Sequence, residues 1–465
     1  MTFVLLPCLK GFSIPKRFNI GVMLFMMCLI AYMARVNFSL NIIAMTESTK
    51  NNNETLPDQG PRYKWSADDQ ALLLGAYFYG YLITSLPGGM LAERYGGKAV
   101  AGYSSIFSAV LTALTPLAAS WGIWAVFAVR FAIGFLGGVV YPCCHCLISK
   151  WSPPQEKGKF VAALMGGTFG TVITWPISGI IVEGMGWPWA FYMIAIFIAI
   201  VTAVWFIIVD DSPAQHTTIT TEERDLIQKS LGDSLSSKKR LPPFKDVAMS
   251  LPFWSLLLLH YGSMWGLFFL ITAAPKFMSE VLKFNLSSAG FLSSLPHLAR
   301  LLCAFGFGAV ADTIRRKEWI SVTKIRKYFC IPSHIIPGLF LIILAFYGRS
   351  PYVCVAIMTL SLGFNGAATV TNLANSQDLA PNYAGTLYGT INFVGTTPGI
   401  FSPMIVAYFT KDQNTIDQWQ NIFLIGAGAY ILPAFVFWAL GSGKIQKWNE
   451  IDKDSNQTDV INTKL

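Results

Sequence analysis

Long apolar runs alternate with short polar connections along the whole chain. A helix of about 20 apolar residues crosses a hydrocarbon core of roughly 30 Å, and each run reaches that length. We predict twelve spans, numbered in chain order: 19–44, 68–91, 98–119, 122–147, 160–182, 188–209, 252–275, 288–310, 328–347, 351–376, 385–409 and 421–441. The pattern therefore predicts an all-α membrane protein with twelve transmembrane helices.

A polar stretch separates the first six spans from the last six. The predicted organisation is a cytosolic N-terminal segment (1–18), a six-helix half (19–209), a linker (210–250), a second six-helix half (251–441) and a cytosolic tail (442–465). In the linker, Thr220 and Glu223 have the spacing of a capping box and predict a short helix from Glu222 to Leu231. We expect the linker to be solvated.

The composition supports this class of protein and sets its orientation. Only 13% of the residues are charged, whereas soluble proteins carry about 25%. With both termini in the cytosol, 24 of the 34 Lys and Arg residues lie inside and 7 outside, as the positive-inside rule requires. The net charge of +9 therefore reflects membrane topology, and we expect a lipid bilayer rather than nucleic acid as the partner.

One loop motif occurs in both halves. The loop after span two reads GMLAERYGGK from Gly89 to Lys98, and the loop after span eight reads GAVADTIRRK from Gly308 to Lys317. Gly, Ala, an acid and Lys recur at equal offsets, which indicates two pseudo-symmetric halves. We expect the acid to cap a helix N-terminus across the half interface. The predicted inter-half gating loop comprises Gly89, Glu93, Arg94, Lys98, Asp312 and Arg316.

Three arginines lie inside spans, and no acid lies deep in any span to neutralise them: Arg35, Arg130 and Arg300. A buried arginine costs roughly 3 kcal/mol on insertion scales unless it faces protein or water. Arg35 and Arg130 lie at matched depth, roughly 12 Å from the outer end at 1.5 Å per residue. Two guanidiniums so placed can bind a phosphate or carboxylate. The alternative for each is a structural arginine that bonds carbonyl oxygens or extends outward.

Tyr141 shares a helical face with Arg130, so the predicted substrate-binding set is Arg35, Arg130, Tyr141 and Arg300. Arg300 is equally suited to contact the anion or to bond backbone carbonyls on span eleven. Consecutive Cys143, Cys144, His145 and Cys146 point in different directions on a helix, so packing explains them better than metal binding. We predict no catalytic residue, no metal site and no cofactor beyond a coupling cation, Na⁺ or H⁺.

Other polar residues within spans are candidates for a proton or substrate pathway: His145, Asn37, Asn365, Thr369 and Asn372. His145 is suited equally to a buried, hydrogen-bonded ring and to a pH-sensitive one. The stripe on span ten can line the pathway, hold a cation or bind neighbouring helices. Two outward sequons predict glycosylation at Asn53 and, closer to the membrane, at Asn285.

The loop after span two resembles the signature of the major facilitator superfamily, and further stretches resemble its anion:cation symporter branch. These stretches are Tyr32–Asn37, Leu86–Gly89, Tyr141–Pro142 with His145, Lys150–Pro154, Pro296–His297 and Asp378–Pro381. The branch holds sodium–phosphate cotransporters, sialic-acid transporters and vesicular glutamate transporters, and the chain looks most like the inorganic phosphate cotransporters. The resemblance implies a rocker-switch fold with an anion site between the halves.

Three positions depart from the branch. Proton-coupled relatives carry an acid two turns after the span-four arginine, where this chain has Gly137. Vesicular glutamate transporters carry a basic residue at the position of Ser263 and a histidine at that of Leu74. We therefore expect transport of inorganic phosphate or organic anions, with sodium favoured over protons and glutamate disfavoured.

Two alternatives stay open, and neither is an enzyme. One is a proton-coupled exporter of organic or acidic-sugar anions from lysosomes or vesicles. The other is an anion sensor that keeps the fold without transporting. We expect a monomer, and we favour the plasma membrane over lysosomal or vesicular membranes.

Overall fold

The computed structural model describes residues 15–47, 59–153, 156, 160, 162–231, 243–348 and 350–449. Helices occupy all twelve predicted spans. In chain order they are Lys16–Met45; Ala67–Ser85 with Gly88–Tyr95; Gly97–Trp121; Ile123–Gly137 with Val140–Trp151; Gly166–Met185; Trp187–Ile208; Leu251–Lys276; Leu286–Arg316; Val322–Cys330 with Ile336–Tyr347; Pro351–Asn365 with Ala374–Leu379; Ala384–Thr396 with Pro398–Thr410; and Ile416–Leu440.

Length and composition alone single out most of these helices as membrane spans. Within the described residues, nine helices are long and apolar enough to cross a membrane, and the two helices of span two, bent by 54°, make a tenth. Span five is a helix of 20 residues. Span eleven is divided at Thr397 before Pro398, whose ring removes a backbone donor.

Several spans contain local irregularities near their centres. Span four turns at Gly138 and Val139, between its two helices. Spans nine and ten contain π-helical segments, Ile331–Ile335 and Thr369–Leu373. Such segments frequently mark functional sites in helices. They leave the apolar runs intact, which is why the hydrophobic pattern alone predicts continuous spans.

Polar contacts join the two halves at the ends that the positive-inside rule places outside. Lys276 Nζ of span seven donates to Gln70 Oε1 of span two at 2.9 Å. The backbone N–H of Ser287, at the start of span eight, donates to Glu183 Oε1 of span five at 2.9 Å. These two contacts tie the outer ends of four spans together.

Further into the membrane from these outer ends, apolar residues of the two halves pack against each other. The ring of Phe78 in span two lies edge-on to that of Phe268 in span seven, with ring centres 5.1 Å apart. A Cβ at Gly75 would lie 3.9 Å from the backbone of Ile400 in span eleven. The halves are thus closed against each other on the outer side.

The duplicated loop motif lies apart on the inner side. Glu93 and Arg94 are exposed, as are Asp312 and Arg316. With the outer ends of the halves joined and both copies of the motif exposed on the inner side, the arrangement matches an inward-facing state.

A carboxylate of the same half caps the helix that follows the first copy of the motif. The carboxylate of Asp211, just beyond span six, accepts from Lys98 N at 2.9 Å at the start of span three. Lys98 Nζ pairs with Asp210 at 2.8 Å. A cap by the acid of the motif across the half interface stays a prediction.

The linker helix, Thr221–Leu231, has exposed residues and also contacts the start of span one. Thr220 Oγ1 accepts from Glu223 N at 3.2 Å, as the capping box predicts. The Glu223 carboxylate, however, accepts from Lys16 N at 2.9 Å and Arg17 N at 3.0 Å. Span one begins there with free backbone donors, and a carboxylate satisfies them.

The structure describes only one of the two predicted glycosylation sites. Asn53 lies outside the described residues. Asn285 is exposed and forms the N-cap of span eight, where its side-chain oxygen accepts from Ser288 N at 3.0 Å. Glycosylation of either residue stays a prediction.

Candidate functional site

Arg35 lies at the centre of the molecule, where the halves meet. Only 5% of it is exposed. Its guanidinium carbon lies between 4.5 and 5.8 Å from the centres of five aromatic rings, those of Tyr32, Tyr77, Phe78, Tyr81 and Phe268. Phe268 belongs to the second half and the others to the first. Ring faces attract a cation without neutralising it.

The hydrogen-bonding capacity of Arg35 is not used up. Its Nε is buried and has no hydrogen-bond partner in the described part of the chain. Buried donors of this kind are rare in proteins because they cost free energy when unpaired. An unpaired donor on a charged group therefore points to a ligand.

Arg130 is equally buried, and its Nε likewise has no hydrogen-bond partner in the described part of the chain, but its other nitrogens are engaged. Two of its nitrogens donate to backbone carbonyls of span one, Nη1 to Ala34 O and Nη2 to Arg35 O, both at 3.2 Å. Its guanidinium carbon lies 4.7 Å from the centre of the Phe38 ring and 5.3 Å from that of Tyr77. These two hydrogen bonds hold the backbone of span one at Arg35.

Tyr77 lies between the two arginines, and its hydroxyl occupies space beside Gly137. A Cβ built on Gly137 would collide with that hydroxyl. The Tyr77 hydroxyl therefore fills the site at which the resemblance implies an acid in proton-coupled relatives. The same ring contacts both guanidiniums.

Tyr141 faces the site as predicted from its helical face, but its hydroxyl has a partner. The hydroxyl donates to Leu164 O at 3.3 Å. Its ring lies edge-on to Tyr32, with centres 6.1 Å apart. Tyr141 is half-buried.

Arg300 belongs to the second half and bonds a side chain rather than carbonyls of span eleven. Its Nε donates to Asn365 Oδ1 of span ten at 3.1 Å. The amide nitrogen of Asn365 donates in turn to Ser263 Oγ at 3.2 Å and Ser333 O at 2.9 Å. Asn365 is therefore fixed, and it orients Arg300.

Of the remaining predicted pathway residues, Asn37 and Asn372 are buried and Thr369 is half-buried. Asn37 Oδ1 accepts from Asn41 at 2.7 Å and from Ser178 at 2.8 Å, which joins spans one and five. Asn372 is 1% exposed and accepts from its neighbour Thr371. Thr369 is half-buried and its hydroxyl donates to Gly366 O at 3.0 Å. The amide nitrogens of Asn37 and Asn372 are buried without a hydrogen-bond partner among the described residues, and a role of these three residues in the pathway stays a prediction.

His145 is exposed, so the alternative of a buried ring does not hold. It lies on the inner part of span four, below Tyr141.

Several aromatic residues around the central arginine are not among the predicted site residues: Tyr77, Phe78, Tyr81 and Phe268. Tyr77 and Tyr81 lie four residues apart on span two, which places them on one helical face. That spacing was a signal for a shared site, although apolar packing explains such pairs equally well. Phe268 carried no signal, because its role depends on how the halves meet.

Carboxylates near the spans are used elsewhere. Arg326 and Asp378, at the inner ends of spans nine and ten, form a nearly buried ion pair at 2.6 Å. Among the described residues, none of the acids lies within ion-pair distance of Arg35, Arg130 or Arg300. The site therefore carries uncompensated positive charge.

Two six-helix halves that close on one side around a buried charge define a membrane transporter that works by alternating access. The chain belongs to the Major Facilitator Superfamily, whose family model matches residues 24–403. It is a multi-pass membrane protein of that superfamily, with its twelve-helix, two-half fold, and not an enzyme.

Similar proteins lie within one branch of the superfamily. Sialin of Ovis aries is 36% identical over 453 residues, covering 93% of this chain and 90% of sialin. A "Putative inorganic phosphate cotransporter" of Drosophila ananassae is 34% identical and covers 94% of both chains. Vesicular glutamate transporter 1 of Xenopus laevis is 30% identical, covering 96% of this chain and 78% of that protein. The predicted resemblance to the anion:cation symporter branch is confirmed.

Solved structures agree on the fold. A bacterial homolog of the human lysosomal transporter Spinster, in an inward-facing conformation, gives a TM-score of 0.66 at 13% identity, covering 92% of this chain and 97% of that one. The xylose transporter of E. coli, in an inward open conformation, gives 0.67 at 14% identity over 91% and 96% of the two chains. At such identities the likeness concerns the fold alone.

Proposed function

We propose that this protein is a secondary active transporter of small anions, either inorganic phosphate or organic anions. The observation that carries the proposal is the Arg35 guanidinium, which is buried between the halves without a carboxylate partner. An intramembrane charge without a countercharge is costly unless a ligand neutralises it during function. The names of the relatives, sialin and phosphate cotransporter among them, agree with anionic substrates.

In this proposal Arg35 contacts the anion and Arg130 positions it. The unpaired Arg35 Nε is available to a phosphate or carboxylate oxygen. Arg130 donates two hydrogen bonds to the backbone of span one, and its positive charge adds to the electrostatic potential at the site. Tyr141 borders the cavity on the inner side, where its half-buried ring can contact a bound anion.

We propose sodium rather than protons as the coupling ion. The supporting observation is that the Tyr77 hydroxyl fills the space beside Gly137, so that no carboxyl group is present there to carry a proton.

Uptake of labelled anion into proteoliposomes tests transport directly. We expect the purified protein to accumulate labelled inorganic phosphate or a labelled organic anion when a cation gradient is imposed, and protein-free liposomes to show none. Binding without accumulation would instead favour the sensor. Absence of both would contradict the proposed function.

The coupling ion needs a separate experiment on the same vesicles. Replacing external sodium by choline should reduce uptake to the background level, whereas collapsing the proton gradient with a protonophore should leave it unchanged. The opposite pattern would identify a proton-coupled transporter and refute sodium coupling. It would leave anion transport itself intact.

A further inference from the structure

We propose that His297 of span eight is a regulatory proton-binding site at the contact between the halves, and that protonation of its ring shifts the protein towards the outward-facing state. The inference concerns which side of the molecule is open. It goes beyond the proposed anion transport because it assigns protons a role other than coupling.

His297 packs against a tryptophan of the other half. Its ring centre lies 5.3 Å from that of Trp175 in span five, with the ring planes at 66°. Only 1% of His297 is exposed, and Trp175 is fully buried. Trp175 Nε1 donates to Val36 O at 3.2 Å and to Ser39 Oγ at 3.1 Å, which fixes the indole against span one. The imidazole is therefore enclosed by the contact between the halves.

A ring nitrogen of His297 is left without a partner in this contact. Its Nε2 is buried and has no hydrogen-bond partner among the residues that the structure describes. The same holds for Ser293 Oγ, one turn earlier, and a spacing of four residues places both side chains on one face of the helix. Buried polar atoms without partners are rare and call for an explanation. In the closed arrangement Nε2 thus makes no hydrogen bond that would stabilise a protonated ring.

No acid in the described ranges lies at the depth of His297, which is about 16 Å below the start of span eight at 1.5 Å per residue. Spans one, five, seven, nine and ten contact span eight, and their acids lie at helix ends: Glu183 and Glu280 outside and Asp378 inside. Span eight itself carries only Asp312, near its inner end. A protonated imidazole at this position therefore has no carboxylate to pair with.

The ionisable groups closer to this depth are basic. Arg300 lies one turn further inward on span eight and repels a second positive charge. Arg35 of span one adds positive charge at the centre of the molecule. His334 of span nine is bonded to a backbone carbonyl of span seven at 2.8 Å, and the ring of His260 packs against a tyrosine of span eleven. The other charged residues of these spans lie at the helix ends.

Opening of the outer side changes these conditions. An unpaired charge is costly when it is taken out of water. Separation of the halves removes Trp175 from the ring and admits water, and a solvated imidazole takes up a proton in the physiological range. A ligand that binds one state better shifts the equilibrium towards that state. Acidity on the outer side therefore favours the outward-facing state.

The proton has access to His297 from the outer side alone. Trp175 is bonded to Val36 O, next to Arg35 in the chain, so the contact with His297 lies close to the depth of the central charge. The movement that opens the centre outward therefore also uncovers the ring. In the inward-facing arrangement the ring is enclosed, so the inner solution does not reach it. A proton that binds and leaves on the same side regulates the cycle without being transported.

Packing alone is the simpler account of His297. An imidazole that only fills space against Trp175 would leave the conformational equilibrium insensitive to outer pH, and another ring would replace it. The two accounts thus differ in how the protein responds to acidity.

Spin labels at Met185 and Lys411, on the outer ends of spans five and eleven, measure this response. In the purified protein we expect the ratio of long to short distances to rise roughly 10- to 30-fold from about pH 7.5 to about pH 5, as for one imidazole that is protonated only in the open state. His297→Phe keeps a ring without a titratable group and should abolish the rise. His216→Gln is the matched control and should keep it, since His216 lies in the linker against Trp151.

A second variant predicts the opposite sign and covers the case that His297→Phe does not fold. Ser293→Asp places a carboxylate one turn from the ring on the same face. At neutral pH this unpaired carboxylate should favour the open state, and acid should now favour the closed state, because protonated His297 pairs with it.

Two results would overturn the inference: a wild-type distance distribution that does not change with pH, or an undiminished acid response in His297→Phe. The distances are measured without substrate, so neither result depends on the proposed anion transport. Absence of anion uptake in the wild type would overturn the proposed function and leave this measurement intact.

Discussion

At the scale of single residues, aromatic rings rather than acids surround the central charge. Five ring centres lie within 5.8 Å of the Arg35 guanidinium carbon. A carboxylate in their place would form an ion pair and compete with any anionic ligand. Rings stabilise the buried guanidinium by about 0.5–2 kcal/mol each and leave its charge available.

Because aromatic rings surround Arg35, we can predict the effect of placing an acid nearby with Gly137→Glu. At neutral pH the new carboxylate should pair with Arg35 or Arg130 and suppress anion uptake, because it neutralises the charge that attracts the substrate. As the pH falls through the pKa of this carboxyl group, protonation removes its charge and uptake should recover. The variant should therefore show uptake that rises with acidity.

The matched control for this prediction is Gly137→Gln, which has the same shape without a titratable group. Because a side chain at position 137 meets the Tyr77 hydroxyl, both variants are best made together with Tyr77→Phe, which removes that atom. Equal, flat pH profiles for the Glu and Gln variants would count against a charge effect at this position.

Arg130 allows a second prediction at this scale. If it acts by holding the backbone at Arg35, then Arg130→Ala should lower anion affinity at least tenfold without changing surface abundance. A double-mutant cycle supplies the decisive measurement, because residues acting through one contact are not additive. Arg130→Ala should cost little further affinity in an Arg35→Gln background, and full additivity would show that the two act independently.

Arg130→Lys separates charge from geometry in the same assay. An ammonium keeps the charge but cannot reproduce two bonds from a planar fork, so we expect only partial rescue. Full recovery of affinity by lysine would mean that the bonds to Ala34 and Arg35 are dispensable.

At the scale of helices, the apolar pattern predicts positions well and partners poorly. The twelve spans follow from the sequence because a bilayer fixes the length of apolar helix that crosses it. Contacts such as Arg300 with Asn365, or Arg130 with the carbonyls of span one, depend on which faces of neighbouring helices meet. Periodicity within one helix does not specify that.

The linker helix shows the same limit for a polar segment. Its start at Thr220 follows from the capping box, and the bond to Glu223 N is formed. Its contact with span one does not follow, because buried Ile227 and the bonds of Glu223 to span one give no periodic signal. Polar composition therefore predicts the exposed residues of this helix but not its tertiary contact.

Glu223→Gln tests this contact. The neutral side chain should cap the start of span one less well, costing roughly 1 kcal/mol, because it lacks the negative charge that the helix N-terminus favours. We expect a lower apparent melting temperature for the purified protein. Glu222→Gln is the control, since Glu222 is exposed next to it. Equal melting temperatures for the two variants would exclude a stabilising role for the cap.

At the scale of the whole molecule, close backbone contact at the outer side maintains the inward-facing state. A Cβ at Gly290 of span eight would lie 2.5 Å from Trp175 O of span five. Backbone atoms cannot yield as the end of a side chain can. Gly290→Ala should therefore force the two spans apart and shift the population towards the outward-facing state.

Distances between spin labels at Met185 and Lys411, on the outer ends of the two halves, measure that shift. We expect a longer mean distance in Gly290→Ala than in the wild type, together with slower transport. Gly306→Ala in the same span is the control, because a Cβ there has no neighbour within 4 Å. An unchanged distance distribution in Gly290→Ala would contradict a glycine-dependent outer closure.

The proposed alternating access links the three scales, because the buried charge of Arg35 lies where the halves meet. Arg35 contacts rings of both halves, including Phe268 at 5.8 Å. Any rocking of one half against the other therefore changes its surroundings. In the proposed transport cycle, anion binding at this residue is the first step.

Equilibrium binding of labelled inorganic phosphate and labelled succinate to the purified protein tests this most directly, with wild type, Arg35→Gln and the exposed control Arg315→Gln compared side by side. We predict saturable binding of at least one anion to the wild type and to Arg315→Gln. In Arg35→Gln the affinity should fall by roughly 10- to 100-fold, as expected for loss of a charged hydrogen-bond donor. Equal affinities for the wild type and Arg35→Gln would contradict the central claim.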